Sequence, residues 1–315
     1  MEVTVRLATI ADAPAITAVH CSTVTEWRHP TTRQPVPYAT LDRFGCWYNG
    51  GPWMHVELCA WHLADLLACG HLPLVAEAAG QVVAEAEYIL NYEPIPFGPG
   101  LHLSILYVHA DWQCQGIGRR MLDAGIAYAR AFRLGMLTTQ PETEVLKFYR
   151  GAAFVPWHCG KEMQLPVGGS LPEGLLPVRT STAIPAASLA LRVGRYQCGE
   201  MGWETLWPAR ELPGWSDLRR RVWRGTLAGT PVVLGLREQL NDATQADGYA
   251  WLLPAAPLTP AVAALRALAG QEGYTAVDLL LPAESLPELR QTFPMDCQTT
   301  VDLWRLAIDN KSGEG

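Results

Sequence analysis

The sequence predicts a mixed α/β protein built as two units in tandem, on three observations: an antiparallel hairpin pattern at 72–90, a strand, glycine loop and helix at 101–132, and the return of that order of elements in the second half. The chain has 315 residues, 49% apolar and 17% charged, enough to close a core in each of two domains of about 100–200 residues.

Residues 3–6 alternate like a short strand, and Asp12 and Pro14 then open a helix where a first turn accepts them. Between 27 and 53, Trp27, Tyr38, Phe44, Trp47, Tyr48 and Trp53 stand among prolines and glycines, an irregular insertion that either lines a pocket or caps the core. Residues 54–69 carry helical apolar spacing, and 72–78 and 81–90 flank a turn at Gly80. A strand at 101–108 runs into a glycine loop and a helix from 119 to about 132; a short strand at 136–139, a short helix at 142–149 and a strand from 153 close the first unit. The stretch 166–187 is rich in Pro, Gly and Ser and reads as a linker between a unit at 1–165 and one at 188–315. In the second unit, strands at 222–238, 248–253, 276–281 and 299–308 and helices at 259–269 and 284–292 repeat the order of 72–164, a pattern of degenerate internal duplication.

A formal charge of −7 is the wrong sign for holding a polyanion across a broad surface, so nucleic acid is not expected as a partner. No apolar run reaches the roughly 18 residues of a membrane span, and the start, with Glu2, Arg6 and Asp12, is unlike an export signal; a soluble, cytoplasmic protein is expected. The 8 cysteines include no Cys-x-x-Cys pair and read as free thiols. His55, Cys59 and His62, with Cys69 and His71 beyond, have metal-ligand spacing, but the same spacing describes the buried stripe of an amphipathic helix, and no metal is expected.

Gln113, Cys114, Gln115, Gly116, Ile117 and Gly118, set between a strand and a helix, aim backbone N–H groups at one point with the helix's positive end behind them. Arg119 and Arg120 add charge, so the loop reads as a pyrophosphate site. It is neither the dinucleotide fingerprint nor the NTPase loop. Gln-x-x-Gly-x-Gly after a strand ending Leu106-Tyr107-Val108, followed further on by Phe148-Tyr149-Arg150-Gly151-Ala152-Ala153-Phe154, resembles the GCN5-related N-acetyltransferases (GNAT) over roughly residues 3–164. The resemblance implies a mixed, mostly antiparallel central sheet flanked by helices, with a smaller, degenerate GNAT-like domain after it.

It further implies acetyl-CoA as co-substrate, its pyrophosphate on residues 114–119 and its pantetheine arm along Leu106, Tyr107 and Val108 like an added strand. Tyr149 matches the tyrosine that serves as acid for the departing thiolate. His102 lies on the strand where some members carry a base, and an imidazole titrating near pH 6.5 would suit that task. Glu85 and Glu87 share one strand face and are the next candidates. Two positions depart from the family: Glu142 replaces an asparagine, and Ala153 the glycine before Phe154.

The implied activity is transfer of an acetyl group to a primary amine of a small or peptidic acceptor, the alternative being a non-catalytic acyl-CoA-binding regulatory protein. Glu26, Glu57, Glu85, Glu87 and Glu93, with Trp27, Trp47 and Trp53, are candidates for receiving a cationic acceptor. In the second unit Pro254, Pro257 and Pro260 stand where the loop's glycines would be and offer no N–H to a phosphate. That unit is left to packing, homodimerisation or covering the acceptor site.

Overall fold

The computed structural model describes residues 2–179, 185–206, 218–240 and 242–309. The first half runs β1 Val3–Leu7, α1 Ala13–Cys21, α2 Arg43–Tyr48, α3 Val56–Ala68, β2 Leu72–Ala78, β3 Gln81–Asn91, β4 Gly100–Val108, α4 Ile117–Ala131, β5 Met136–Thr139, α5 Leu146–Gly151 and β6 Val155–Pro166. The second runs β7 Leu175–Val178, β8 Ala190–Val193, α6 Gly199–Leu206, β9 Arg220–Leu227, β10 Thr230–Glu238, β11 Gln245–Leu252, α7 Thr259–Gln271, β12 Ala276–Pro282, α8 Leu286–Thr292 and β13 Asp296–Ala307. The elements expected from periodicity are all present. Those not expected, α2, α6, β7 and β8, are short or lie in irregular sequence, where too few residues sample a period.

One 13-stranded sheet joins both halves, in the order β1-β2-β3-β4-β5-β13-β6-β12-β11-β10-β9-β7, with β8 on β11. Among the described residues only β4/β5 and β11/β12 pair in parallel. The order is symmetric about its centre: β5 pairs with β13, the last strand of the second half, and β12 pairs with β6, the last strand of the first. Each half thus lends its final strand to the other. Residues 175–178, inside the Pro- and Gly-rich stretch read as a linker, are the edge strand β7 on β9, and residues 180–184 of that stretch lie outside the described residues.

Tyr88, Leu101, Leu103 and Leu137 from the sheet pack with Ile117, Met121 and Leu122 of α4, and a second core of the same kind forms under α7. The opposite face of the first half is covered by α1 and α3, whose Ile16, Cys59 and Leu63 meet Val75 of β2. Glu93, after β3, ties the halves together: its buried carboxylate accepts from the Arg195 guanidinium and from the backbone N–H groups of Leu191 at 2.7 Å and Gly199 at 3.0 Å. Breaking one side of so enclosed a pair would leave an uncompensated buried charge.

Candidate active site

β4 and β5 are hydrogen-bonded only between Gly100–Leu103 and Met136–Thr139. β4 continues to Val108 while β5 ends, so residues 104–108, of which 105–108 pair with β3 on one side, meet no strand on the other among the described residues. Leu106, Tyr107 and Val108 therefore offer an open edge of peptide groups. Directly beyond lies the loop. Cys114 has φ 60° and Gly116 φ 80°, two left-handed residues that bend the chain into a concave run of N–H groups. The first helical bond of α4 is from Arg120 N–H to Gly116 carbonyl, which leaves the N–H groups of Ile117, Gly118 and Arg119 free of intrahelical partners. The Gln113 amide bonds the Val108 carbonyl at 3.1 Å and the Gln115 amide the Asp111 carbonyl at 3.2 Å, bracing the loop. The Arg119 side chain turns along the helix to Asp123 instead of over the loop.

Behind this edge stand Glu85 and Glu87, on the β3 face turned toward α1 and α3. They are 0% and 1% exposed, so their face is not a solvent face. Glu85 Oε2 lies 2.5 Å from His20 Nε2, and its Oε1 has no hydrogen-bond partner. Burial drives both groups toward neutrality, holding His20 down at about 4 and raising the Glu85 carboxyl, which its neighbour Glu87 raises further. At neutral pH they share one proton. Glu87 takes the opposite course. Burial would raise it as well, but His62 Nε2 at 2.8 Å and the Trp53 indole N–H at 2.7 Å outweigh that, and Glu87 stays ionised. Burial likewise would lower His62, and Glu87 more than reverses it. Ser104, the first residue of the open edge, donates to Glu87 Oε2 at a long 3.4 Å. His20 is stacked between Trp53 and Tyr107, ring centres 5.2 and 4.4 Å away.

His20, Ser104, His62 and Trp53 thus join the expected pair Glu85 and Glu87. The first two were not singled out in the sequence, although a histidine in the buried stripe of α1, one turn after Ile16, is a readable sign of a polar group facing inward. His102 is placed differently. It is sealed at 0% exposure where β4 and β5 are still paired, its Nδ1 lies 3.0 Å from Thr138 Oγ1, and burial together with Arg195 lowers it to about 3. Tyr149 is buried near Thr139 at the end of β5, and burial raises its pKa.

His55, Cys59 and His62 do not converge: His55 caps α3, Cys59 lies in the core, and His62 faces Glu87. Of the outer glutamates, Glu26 is paired with Arg28, Glu57 with Arg43 and Glu93 with Arg195, so they form no free acidic rim.

Residues 25–154, which span the open edge, the loop and Tyr149, match the family model described as the acetyltransferase (GNAT) family. Over that stretch the chain carries the pattern of the GNAT family. Among solved structures, the chain is similar to a GCN5-related N-acetyltransferase from Anabaena variabilis, at 10% identity over 98% of this chain and 73% of that chain, with a TM-score of 0.63. A GCN5-related N-acetyltransferase from Kribbella flavida is similar at 11% identity over 96% of this chain and 70% of that chain, with a TM-score of 0.54. A tandem GNAT protein from the clavulanic acid biosynthesis pathway aligns at 15% identity over 99% of this chain and 100% of that one, with a TM-score of 0.48. At these identities the likeness concerns the fold. No curated protein matches the sequence significantly.

The second half has the same kind of parallel pair, β11 with β12, joined only at 245–248 and 276–279. Here the space beyond is filled. β8 pairs with 250–252 of β11, Gly194 donates to the Leu280 carbonyl of β12, and Arg192 reaches the Pro254 carbonyl in the loop before α7. The chain's own strand lies where the first half leaves its edge open.

Proposed function

We propose that the first half transfers an acetyl group from acetyl-CoA to a primary amine of a small or peptidic acceptor, with Glu87 taking the amine's proton. The observation that carries this reading is the buried carboxylate of Glu87, held by the His62 imidazole and the Trp53 indole N–H and linked through Ser104 to an open strand edge that leads into a phosphate-type loop.

The open edge at 106–108 suits the amide-bearing pantetheine arm, whose peptide-like groups can pair with it as another strand would. The N–H groups of 114–119 suit the pyrophosphate, and Gly116, at φ 80° with open space where a side chain would stand, allows its close approach. As the amine attacks the thioester its nitrogen becomes acidic, and a carboxylate already held ionised by His62 and Trp53 accepts the proton without first being freed. Tyr149 keeps its own proton at neutral pH, since its pKa is raised from 10, whereas a thiol titrates near 8.5. It therefore steadies the leaving thiolate by donating a hydrogen bond more than by protonating it. His102, neutral and sealed, serves in this reading to join β4 to β5.

Calorimetric titration of acetyl-CoA and of free coenzyme A, with a thiol-release assay over a panel of amines, tests the proposal. One site per chain with thiol release is expected. Binding with no release from any amine would favour a non-catalytic acyl-CoA-binding protein, and absence of binding would overturn both readings.

A further inference from the structure

The geometry points to a second ligand site, in the second half: a cavity that holds a small organic cation, an alkylammonium or guanidinium, without acylating it. The cavity, about 180 Å³, lies on the sheet face opposite α7 and is lined by Glu162, Tyr196, Arg237, Asp247, Tyr249 and Asp278 among others. That is far above the roughly 10–15 Å³ that one water requires.

The sheet itself creates the charge. The parallel register of β11 and β12 sets Asp247 beside Asp278, the positions that His102 and Thr138 hold in the register of β4 and β5. Like charges side by side on a sheet face are destabilising unless something between them compensates. Compensation within the protein is partial. Arg237, opposite Asp247 on β10, donates to Asp247 Oδ2, and the Gln239 amide donates to Asp247 Oδ1 at 3.0 Å and Asp278 Oδ2 at 2.8 Å. Asp278 Oδ1 is left with no hydrogen-bond partner, although the residue is only 8% exposed and lines the cavity. Glu162 of β6 adds a third carboxylate, which burial and then Asp278 and Asp247 push upward. Three acids against one guanidinium leave an excess of negative charge around an unmet acceptor oxygen.

A donor carrying positive charge meets both needs at once. It is not a metal ion: among the described residues the one group of three donor atoms lying within 4.8 Å of one another is Cys69, His71 and Glu204, elsewhere in the fold. An organic cation has several N–H donors spread over its own length, and Tyr196 and Tyr249 give it aromatic walls. Because β8 fills the space between β11 and β12, no acyl donor can lie beside it, so the cation is bound and not consumed.

Calorimetry of the full chain with agmatine, which carries both cationic groups, tests this, repeated in Glu87→Gln so that binding in the first half is separated. One agmatine per chain is expected, unchanged in Glu87→Gln and weakened about tenfold or more in Asp278→Asn and in Glu162→Gln. Asp278→Asn removes charge from a repulsive pair and is expected to melt no lower than the parent; should it fail to fold, Glu162→Gln at the cavity wall decides. Absence of agmatine binding, binding abolished by Glu87→Gln, binding indifferent to both second-half variants, or uptake of magnesium in its place would each overturn the inference.

Discussion

Glu85 and Glu87 stand two positions apart on one strand and titrate in opposite directions because of what packs on them. One meets a histidine that burial keeps neutral; the other meets an indole N–H and a histidine that can carry charge. Replacing Glu87 by Gln is expected to lower the transfer rate by about 10²–10⁴ while leaving acetyl-CoA affinity within a few-fold, read by steady-state kinetics beside calorimetry. His102→Asn, by contrast, should keep the parent's pH–rate profile, because its imidazole stays neutral throughout the working range. A profile that lost a limb in His102→Asn would return the base role to that residue. Ala153 adopts φ 65°, a left-handed conformation that costs a residue with a Cβ about 1–2 kcal/mol. Ala153→Gly should therefore raise stability by about 0.5–1 kcal/mol in denaturant melts, the remainder going to glycine's greater freedom when unfolded.

Individual elements explain why the site keeps its shape. α4 must press close to β3 to aim its first turn at the loop, and Gly125 makes this possible: a Cβ there would stand 2.3 Å from the Tyr88 ring. Tyr88 cannot step aside, being fully buried with its hydroxyl bonded to the Met121 carbonyl at 2.9 Å. Gly125→Ala is expected to cost about 1–2 kcal/mol by thermal melting, since overpacking exceeds the better helix propensity of alanine. The periodicity of α3, α4, β2, β3 and β4 was legible in the sequence, and so was the loop, because glycine spacing and a helix start are local features. The aromatic stretch 27–53 was not. Its short helix α2 holds too few residues to show a period, and its Trp53 contact to Glu87 joins residues 34 positions apart in the chain.

At the scale of the whole molecule, the exchange of β6 and β13 makes the halves interdependent. A fragment of residues 1–168 keeps β6 but loses both strands that flank it, and β5 loses β13. Such edges invite pairing with other chains, so the fragment should aggregate or associate in size-exclusion chromatography, whereas a folded monomer would contradict the exchange. The seam between halves also carries a titrating group. Glu200 of α6 accepts from the Tyr92 N–H at 2.7 Å, its other oxygen has no partner, and burial followed by Glu93 raises it from 4.5 to about 7. Since the folded chain holds this proton more tightly than the unfolded one, stability should fall as pH rises from about 4.5 through 7 and level off above. The fall attributable to Glu200 is on the order of 2–3 kcal/mol, and Glu200→Gln should remove it from melting temperatures measured between pH 5 and 8.

By itself the sequence determined what is written in local periodicity: the alternating and helical stretches, the glycine turn that opens α4, the repeated order of elements and the proline-bearing loop that ends the resemblance in the second half. Tertiary structure alone decided which strands lie side by side beyond the hairpin at 72–90, that β8 occupies in one half the edge left open in the other, and which acids keep their protons. The reason is physical. Backbone periodicity follows from side chains a few positions apart, whereas strand exchange, burial and titration follow from groups brought together across tens to hundreds of residues, as Glu93 is with Arg195 and His20 with Glu85.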